Sequence, residues 1–296
     1  MNLPSPLEKI EAKIFKERGL EVFIKRDDLI HPVISGNKWR KLNHNIEKFK
    51  QGNYKKLLTF GGAYSNHIAA TARAGKELGF STIGIIRGDE LNSNSNPTLK
   101  QAHEDGMELI FTKREEYDLR EEKYYHEELR RRHGHVLIIP EGGANYFGVL
   151  GCQEILKENE ASVEYVVSAC GTGTTAAGLL LNGANVIGVS ALKGGEFLNE
   201  NIAQLLSQML IEEDVLETMG RFDLQLDYHF GGYAKYNDEL IQFMKDFTSE
   251  FDIPLDQVYT GKMMYALMDL IQKDHFPKGS KIMALHTGGL QGAIDY

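Results

Sequence analysis

Lys38 opens a helix-like run over residues 38–50, directly behind a Ser-Gly-Asn turn in VISGNKWRKL (33–42). Lysines are common on helix surfaces, and the plain reading of this one is a solvated side chain. The sharper reading is a covalent bond to a carbonyl group. An amine must be neutral to attack an aldehyde, and a helix N-terminus disfavours the cation, so this placement helps such chemistry. Lys41 and Lys48, on the same run, are read as solvated.

A second stretch bears on the choice. ACGTGTTAAGLL (169–180) lies where a strand-like run becomes a helix-like one. Gly171 and Gly173 expose backbone amides, and Thr172, Thr174 and Thr175 add hydroxyls, a donor set suited to phosphate. No Gly-Lys-Ser/Thr ending follows, so a nucleoside triphosphate is disfavoured. The alternative is a plain tight turn. A phosphate on a molecule that also carries an aldehyde would join this loop to Lys38. Pyridoxal phosphate has both groups, and requires a partner for its ring nitrogen as well.

These residues need a scaffold. Apolar strand-like runs at 55–62, 81–88, 107–112, 135–143, 164–173, 185–192 and 281–289 alternate with helix-like runs at 65–79, 96–106, 115–134, 149–158, 174–182, 199–213, 238–251 and 262–274. The helix at 65–79 has Ser65 or Asn66 at its cap and Gly79 past its end. Repeated β-α alternation predicts an α/β fold with mostly parallel sheets covered by helices. There are too many units for one small sheet, so two lobes are expected.

Composition narrows the function. The chain of 296 residues carries 33 basic and 42 acidic side chains, a net of −9, which disfavours a nucleic-acid partner. Cys152 and Cys170 form no CxxC pair and no cluster with histidines, so neither a metal site nor a disulfide framework is expected, and both read as small buried hydrophobes. No apolar run approaches membrane-spanning length and no signal-type segment opens the chain, so a cytoplasmic protein is expected.

Several motifs together carry a resemblance. FIKRDDL (23–29), SGNKWRKL (35–42), GGAYSNHIAATA (61–72), GTGTTAAG (171–178), VYTGK (258–262) and HTGG (286–289) resemble, in order, the 1-aminocyclopropane-1-carboxylate deaminase / D-cysteine desulfhydrase family. Its members are pyridoxal-phosphate enzymes of the tryptophan-synthase-β-like fold, fold type II. The resemblance implies a larger cofactor-binding lobe from residues 1–42 and 146–296, a smaller α/β lobe from 43–145, the cofactor between them, and a homodimer.

It also implies roles. Lys38 becomes the Schiff-base lysine, with Ser35 standing where the family has a glycine. Ser65 faces a small amino-acid substrate and Asn66 the cofactor's 3-hydroxyl, although by themselves they read as a helix cap and a turn residue. Gly171, Thr172, Gly173, Thr174 and Thr175 hold the phosphate. Tyr259 sits near the reacting centre; Tyr233 matches a second family tyrosine more loosely, with Tyr236 as rival. His67 is left without a role and is read as facing the lobe surface.

Thr260 occupies the position beside the ring nitrogen, where ring-opening deaminases of the family carry glutamate. A hydroxyl holds a weaker positive charge on that nitrogen, which suffices when the leaving group is a thiolate. The expectation is therefore a lyase or deaminase of D-cysteine type that releases a 2-oxo acid and ammonia. The alternatives are cyclopropane ring opening, a β-replacement synthase or racemase, and a non-catalytic ligand-binding relative.

Overall fold

The computed structural model describes residues 1–34, 36–158 and 162–294. The chain forms two compact units, Met1–Asn37 with Val149–Tyr296, and Lys38–Gly148. The sequence expectation put these boundaries near residues 42 and 146; in the structure both breaks fall at helices that run from one unit into the other.

In chain order the elements are β1 (Leu7–Ile10), α1 (Lys13–Arg18), β2 (Glu21–Lys25), α2 (Asn37–Gln51), β3 (Lys56–Gly61), α3 (Asn66–Leu78), β4 (Ser81–Arg87), α4 (Pro97–Glu104), β5 (Glu108–Thr112), α5 (Arg114–Tyr117), α6 (Lys123–His133), β6 (Val136–Ile139), α7 (Tyr146–Lys157), β7 (Tyr165–Cys170), α8 (Thr174–Leu180) and β8 (Asn185–Ser190). They continue with α9 (Leu198–Leu206), α10 (Glu212–Met219), β9 (Phe222–Gln225), α11 (Asp238–Phe251), α12 (Thr260–Gln272) and β10 (Lys281–Leu285).

In the first unit, the described strands run in the order β1-β2-β10-β7-β8-β9, and all but the β1–β2 pair are parallel. Side chains alternate between its faces, as strand pleating requires. Val167, Ala169, Ile187, Val189, Ile282 and Ala284 pack against Phe15 of α1, Met244 of α11 and Met263, Leu267 and Ile271 of α12. Val166, Cys170, Val186, Met283 and Leu285 face the other way, onto α7, α8 and α9. Cys152 and Cys170 are both buried and not joined in a disulfide, and they pack within that second core.

In the second unit, the order is β5-β4-β3-β6, wholly parallel. Ile68 and Ala72 of α3 with Leu99 and Ala102 of α4 cover one face, and Tyr117, Tyr125 and Leu129 the other. Strands buried on both sides read as near-continuous apolar runs, which is why LLTF and IGII were legible.

Two helices expected as single runs are broken. The 115–134 run is α5, a turn, then α6; the turn brings Tyr117 onto the same apolar cluster as Tyr125 and Leu129. The 199–213 run ends at Leu206, and α10 begins only at Glu212, so that Leu205 and Leu206 from one helix and Val215 from the next share one core. β1, α1 and β9 are short and were not anticipated; β9, FDLQ, lacks an apolar run.

Candidate active site

In the first unit, β2, β10, β7 and β8 are mutually parallel, so their carboxyl ends lie along one edge of the sheet. That edge is where open α/β sheets bind ligands. The segments leaving it are those the sequence singled out: RDD after β2, HTGG after β10 and GTGTT after β7.

These segments are tied together. The Gly36 amide donates to the Asp27 carbonyl at 2.8 Å. Gly36 adopts φ +61°, and its Cα lies so close to the Thr287–Gly288 peptide that an added Cβ would stand 1.8 Å from the Thr287 oxygen. His286 donates from Nε2 to the Pro254 carbonyl at 2.8 Å, and its Nδ1 stands 3.5 Å from Asp28, itself gripped by Arg26. Asn37, the residue before Lys38, donates from Nδ2 to the Thr175 hydroxyl at 3.0 Å. Asn37 is thus anchored to the glycine-threonine loop. Ser35 lies outside the described residues.

The loop fits a phosphate. No side chain caps the first turn of α8, Thr174 and Thr175 are buried, and Thr172 and Thr174 share a hydrogen bond at 3.0 Å. Gly171 faces Tyr259 closely enough that a Cβ there would stand 3.2 Å from the phenol oxygen. The contributed groups are amides and hydroxyls, the donors an oxyanion needs. Among the described residues no group of three or more His, Cys, Asp or Glu side chains could hold a metal.

Tyr259 precedes α12, and its ring meets Tyr233 edge-on with centroids 6.2 Å apart. Thr260 is fully buried. Its hydroxyl donates to Asp256 Oδ2 at 2.6 Å and accepts from the Asp256 amide at 2.8 Å. Asp256 also accepts the amides of Val258, Tyr259 and Thr260, an Asx-type turn that leads the chain into α12. Sequence reasoning passed over Asp256, although Asp is a residue whose carboxylate commonly accepts amides two residues further on in a turn. It also passed over Lys262, whose Nζ donates to three backbone carbonyls.

In the second unit, Ser65 caps α3, its hydroxyl accepting from Ile68 N at 3.3 Å, which leaves its proton to give elsewhere. Asn66 follows, half-buried. Lys38 is half-buried near the start of α2. Two expectations are corrected. Lys48 is exposed, but Lys41 is buried at 4% because it lies against Gly143, where an added Cβ would stand 2.9 Å from the Lys41 Cβ. His67 does not face the surface; it is 1% exposed, with its Nε2 3.0 Å from the hydroxyl of Thr59 on β3.

Thr59 donates its proton to the Ile139 carbonyl at 2.9 Å, so it accepts from His67 Nε2, and Nδ1 keeps a buried lone pair with no hydrogen-bond partner. Burial, then the charges of Lys38 and Lys41, push this imidazole down to about 3. The native state therefore holds His67 neutral while the unfolded chain protonates it below about 6.5. Its contribution to stability is complete above 6.5 and is lost as the pH falls toward 3. His67→Gln, which keeps a donor for Thr59 without titrating, should lose roughly 2–3 kcal/mol less than the unsubstituted chain between pH 6.5 and 4.5 in denaturant titrations. Equal losses would mean that the imidazole is not held neutral.

The family model described as pyridoxal-phosphate dependent enzyme matches residues 2–288. The chain belongs to the pyridoxal-phosphate dependent enzyme family. It is 30% identical to the D-cysteine desulfhydrase of Klebsiella pneumoniae, over 99% of this chain and 94% of that protein. It is also 30% identical to the mitochondrial bifunctional D-cysteine desulfhydrase/1-aminocyclopropane-1-carboxylate deaminase of Arabidopsis thaliana, over 99% of this chain and 78% of that one. A crystal structure described as an ACC deaminase homologue superposes with a TM-score of 0.81 at 31% identity, covering 98% of this chain and 91% of that one. The fold is that of fold type II pyridoxal-phosphate enzymes, and the cofactor is pyridoxal 5′-phosphate. No helix among the described residues is long and apolar enough to cross a membrane.

Proposed function

We propose that the chain is a lyase that deaminates a small amino acid by β-elimination, with D-cysteine the substrate, releasing a 2-oxo acid, ammonia and sulfide. The observation that carries this reading is the hydrogen bond from Asn37 to Thr175, which ties the residue before Lys38 to the loop suited to a phosphate.

The cofactor, when bound, supplies a ring that accepts the electron pair left when the substrate's α proton departs. The chain's own residues do the rest. Residues 171–175 hold the phosphate, Asn66 the 3-hydroxyl, and Thr260 the ring nitrogen. Lys38 would hold the cofactor through its carbonyl carbon, and its freed amine would move the proton at the substrate's α carbon. Ser65 and the first turn of α3 receive the substrate carboxylate. Tyr259 and Tyr233 serve the proton at the departing group. The similarity to a D-cysteine desulfhydrase along nearly the whole of both chains supports this assignment.

A second reading, ring opening of 1-aminocyclopropane-1-carboxylate, is kept by one observation. Thr260 was expected to give a weak electron sink, yet the Asp256 carboxylate stands 2.6 Å behind its hydroxyl. With its proton committed to Asp256, that hydroxyl offers only a lone pair outward, so Thr260 would serve as an acceptor toward the ring nitrogen with the Asp256 carboxylate behind it.

A panel of D-cysteine, D-serine and 1-aminocyclopropane-1-carboxylate, followed by 2-oxo acid release, separates the readings. D-cysteine should be turned over at least about tenfold faster than the cyclic substrate. Racemisation without 2-oxo acid, or binding without turnover, would defeat the proposal. A homodimer is the oligomer that accompanies this reading, measurable by light scattering.

A further inference from the structure

Lys262, in the VYTGK motif, is a fully buried cation with no part in the chemistry above. Its Nζ donates to the carbonyls of His229 and Gly232 at 2.8 Å each and of Ala191 at 3.4 Å. Three acceptors on backbone from two separate segments use the full donor capacity of an ammonium. Burial pushes Lys262 down to about 8, with the Asp256 carboxylate opposing, so the site bears a cost for holding a charge there.

The segment it grips is a tight turn, with the Gly231 amide on His229 Nδ1 at 2.9 Å and the Phe230 ring packed on Tyr265. Phe230, Gly231, Gly232 and Ala234 all have positive φ, at +50°, +97°, +117° and +55°. Two of these are non-glycine residues in a region that L side chains enter only under constraint. Tyr233 sits in the middle of this run, 49% exposed, with its ring edge-on to Tyr259. Tyr259 and Lys262 lie three residues apart at the start of one helix. The start of α12 thus meets the 229–234 turn at three points: the Tyr259 ring against Tyr233, the Lys262 ammonium on two backbone carbonyls, and the Tyr265 ring edge-on to Phe230.

We infer that Lys262 is a positioning residue, pinning the strained 229–234 turn to the start of α12 so that Tyr233 is presented to Tyr259. This deepens, and rests on, the reading in which both tyrosines serve the reaction.

The test uses holoenzyme with 3-fluorotyrosine placed at residue 233, read by fluorine NMR, beside steady-state kinetics of a double-mutant cycle. In Lys262→Met the fluorine resonance should sharpen and move toward that of free 3-fluorotyrosine. Turnover number should fall about tenfold or more, with cofactor affinity within about twofold. In a Tyr233→Phe background the same substitution should cost less than about twofold, because its route of action is already gone. An unmoved resonance, or equal losses in both backgrounds, would overturn the inference. If Tyr233→Phe alone leaves turnover unchanged, the role of Tyr233 falls, and the fluorine signal still decides the role of Lys262. Should Lys262→Met not fold, Lys262→Gln, which keeps amide donors but loses reach, carries the same measurements.

Discussion

Lys38→Ala should lower turnover by at least about a thousandfold and abolish the visible absorbance of the lysine-bound cofactor. Two functions disappear with one side chain. The covalent tether is gone, and so is the amine that moves the α proton; positioned proton transfer alone is worth roughly 10²–10⁴ in rate. The fold should survive, since Lys38 is only half-buried. Far-ultraviolet circular dichroism is therefore expected to be unchanged. Added methylamine should recover part of the turnover by replacing the missing base. The structure supplies a specific rival, because Lys41 is buried one helical turn further on, beside His67. If Lys38→Ala keeps the absorbance and Lys41→Ala loses it, the tether has been assigned to the wrong lysine.

Gly36→Ala should be the most damaging single methyl added anywhere near the site. The backbone there is left-handed, and the new Cβ would stand 1.8 Å from a carbonyl oxygen and 2.1 Å from its carbon. The obstacle is main chain, so no rotamer change relieves it. The turn must leave the HTGG segment, breaking the Gly36–Asp27 bond and displacing Asn37 from Thr175. A left-handed Ala costs about 1–2 kcal/mol before any clash is counted. A total above about 3 kcal/mol is expected, lowering the melting temperature by roughly 6–12 °C. Cofactor affinity should fall with it. A variant that melts within a degree or two of the unsubstituted chain would show that the backbone at Gly36 has room the structure does not display.

What the sequence disclosed was local. The helix over 65–79 was legible because Ser65 caps it and Gly79 stops it in the left-handed conformation. The 238–251 helix was legible from its apolar spacing, and its N-cap Asn237 shows the same local logic. The strand-to-loop transitions at 61, 170 and 285 follow from apolar runs ending in glycine or small residues. The helix breaks near 118 and 207 were hidden, because neither contains a proline and both are dictated by where Tyr117 and Val215 must pack. Burial of polar groups was hidden for a related reason. His67, Lys41 and Lys262 look like surface residues until Thr59, Gly143 and the 229–232 carbonyls arrive from elsewhere in the chain. Asp256 is the exception, because all the partners of its carboxylate lie within four residues of it.

Strand β2 lies between β1 and β10, and Glu21 pairs with Lys281. During synthesis on the ribosome, residues 38–148 can therefore collapse onto their own four strands while the segment ahead of them still lacks the neighbour that completes it. The turn carrying Gly36 and Asn37 waits as well, since Thr287 emerges after β10. A nascent chain stalled before residue 281 would thus expose an unpaired edge at β2, an aggregation hazard that a chaperone would have to cover.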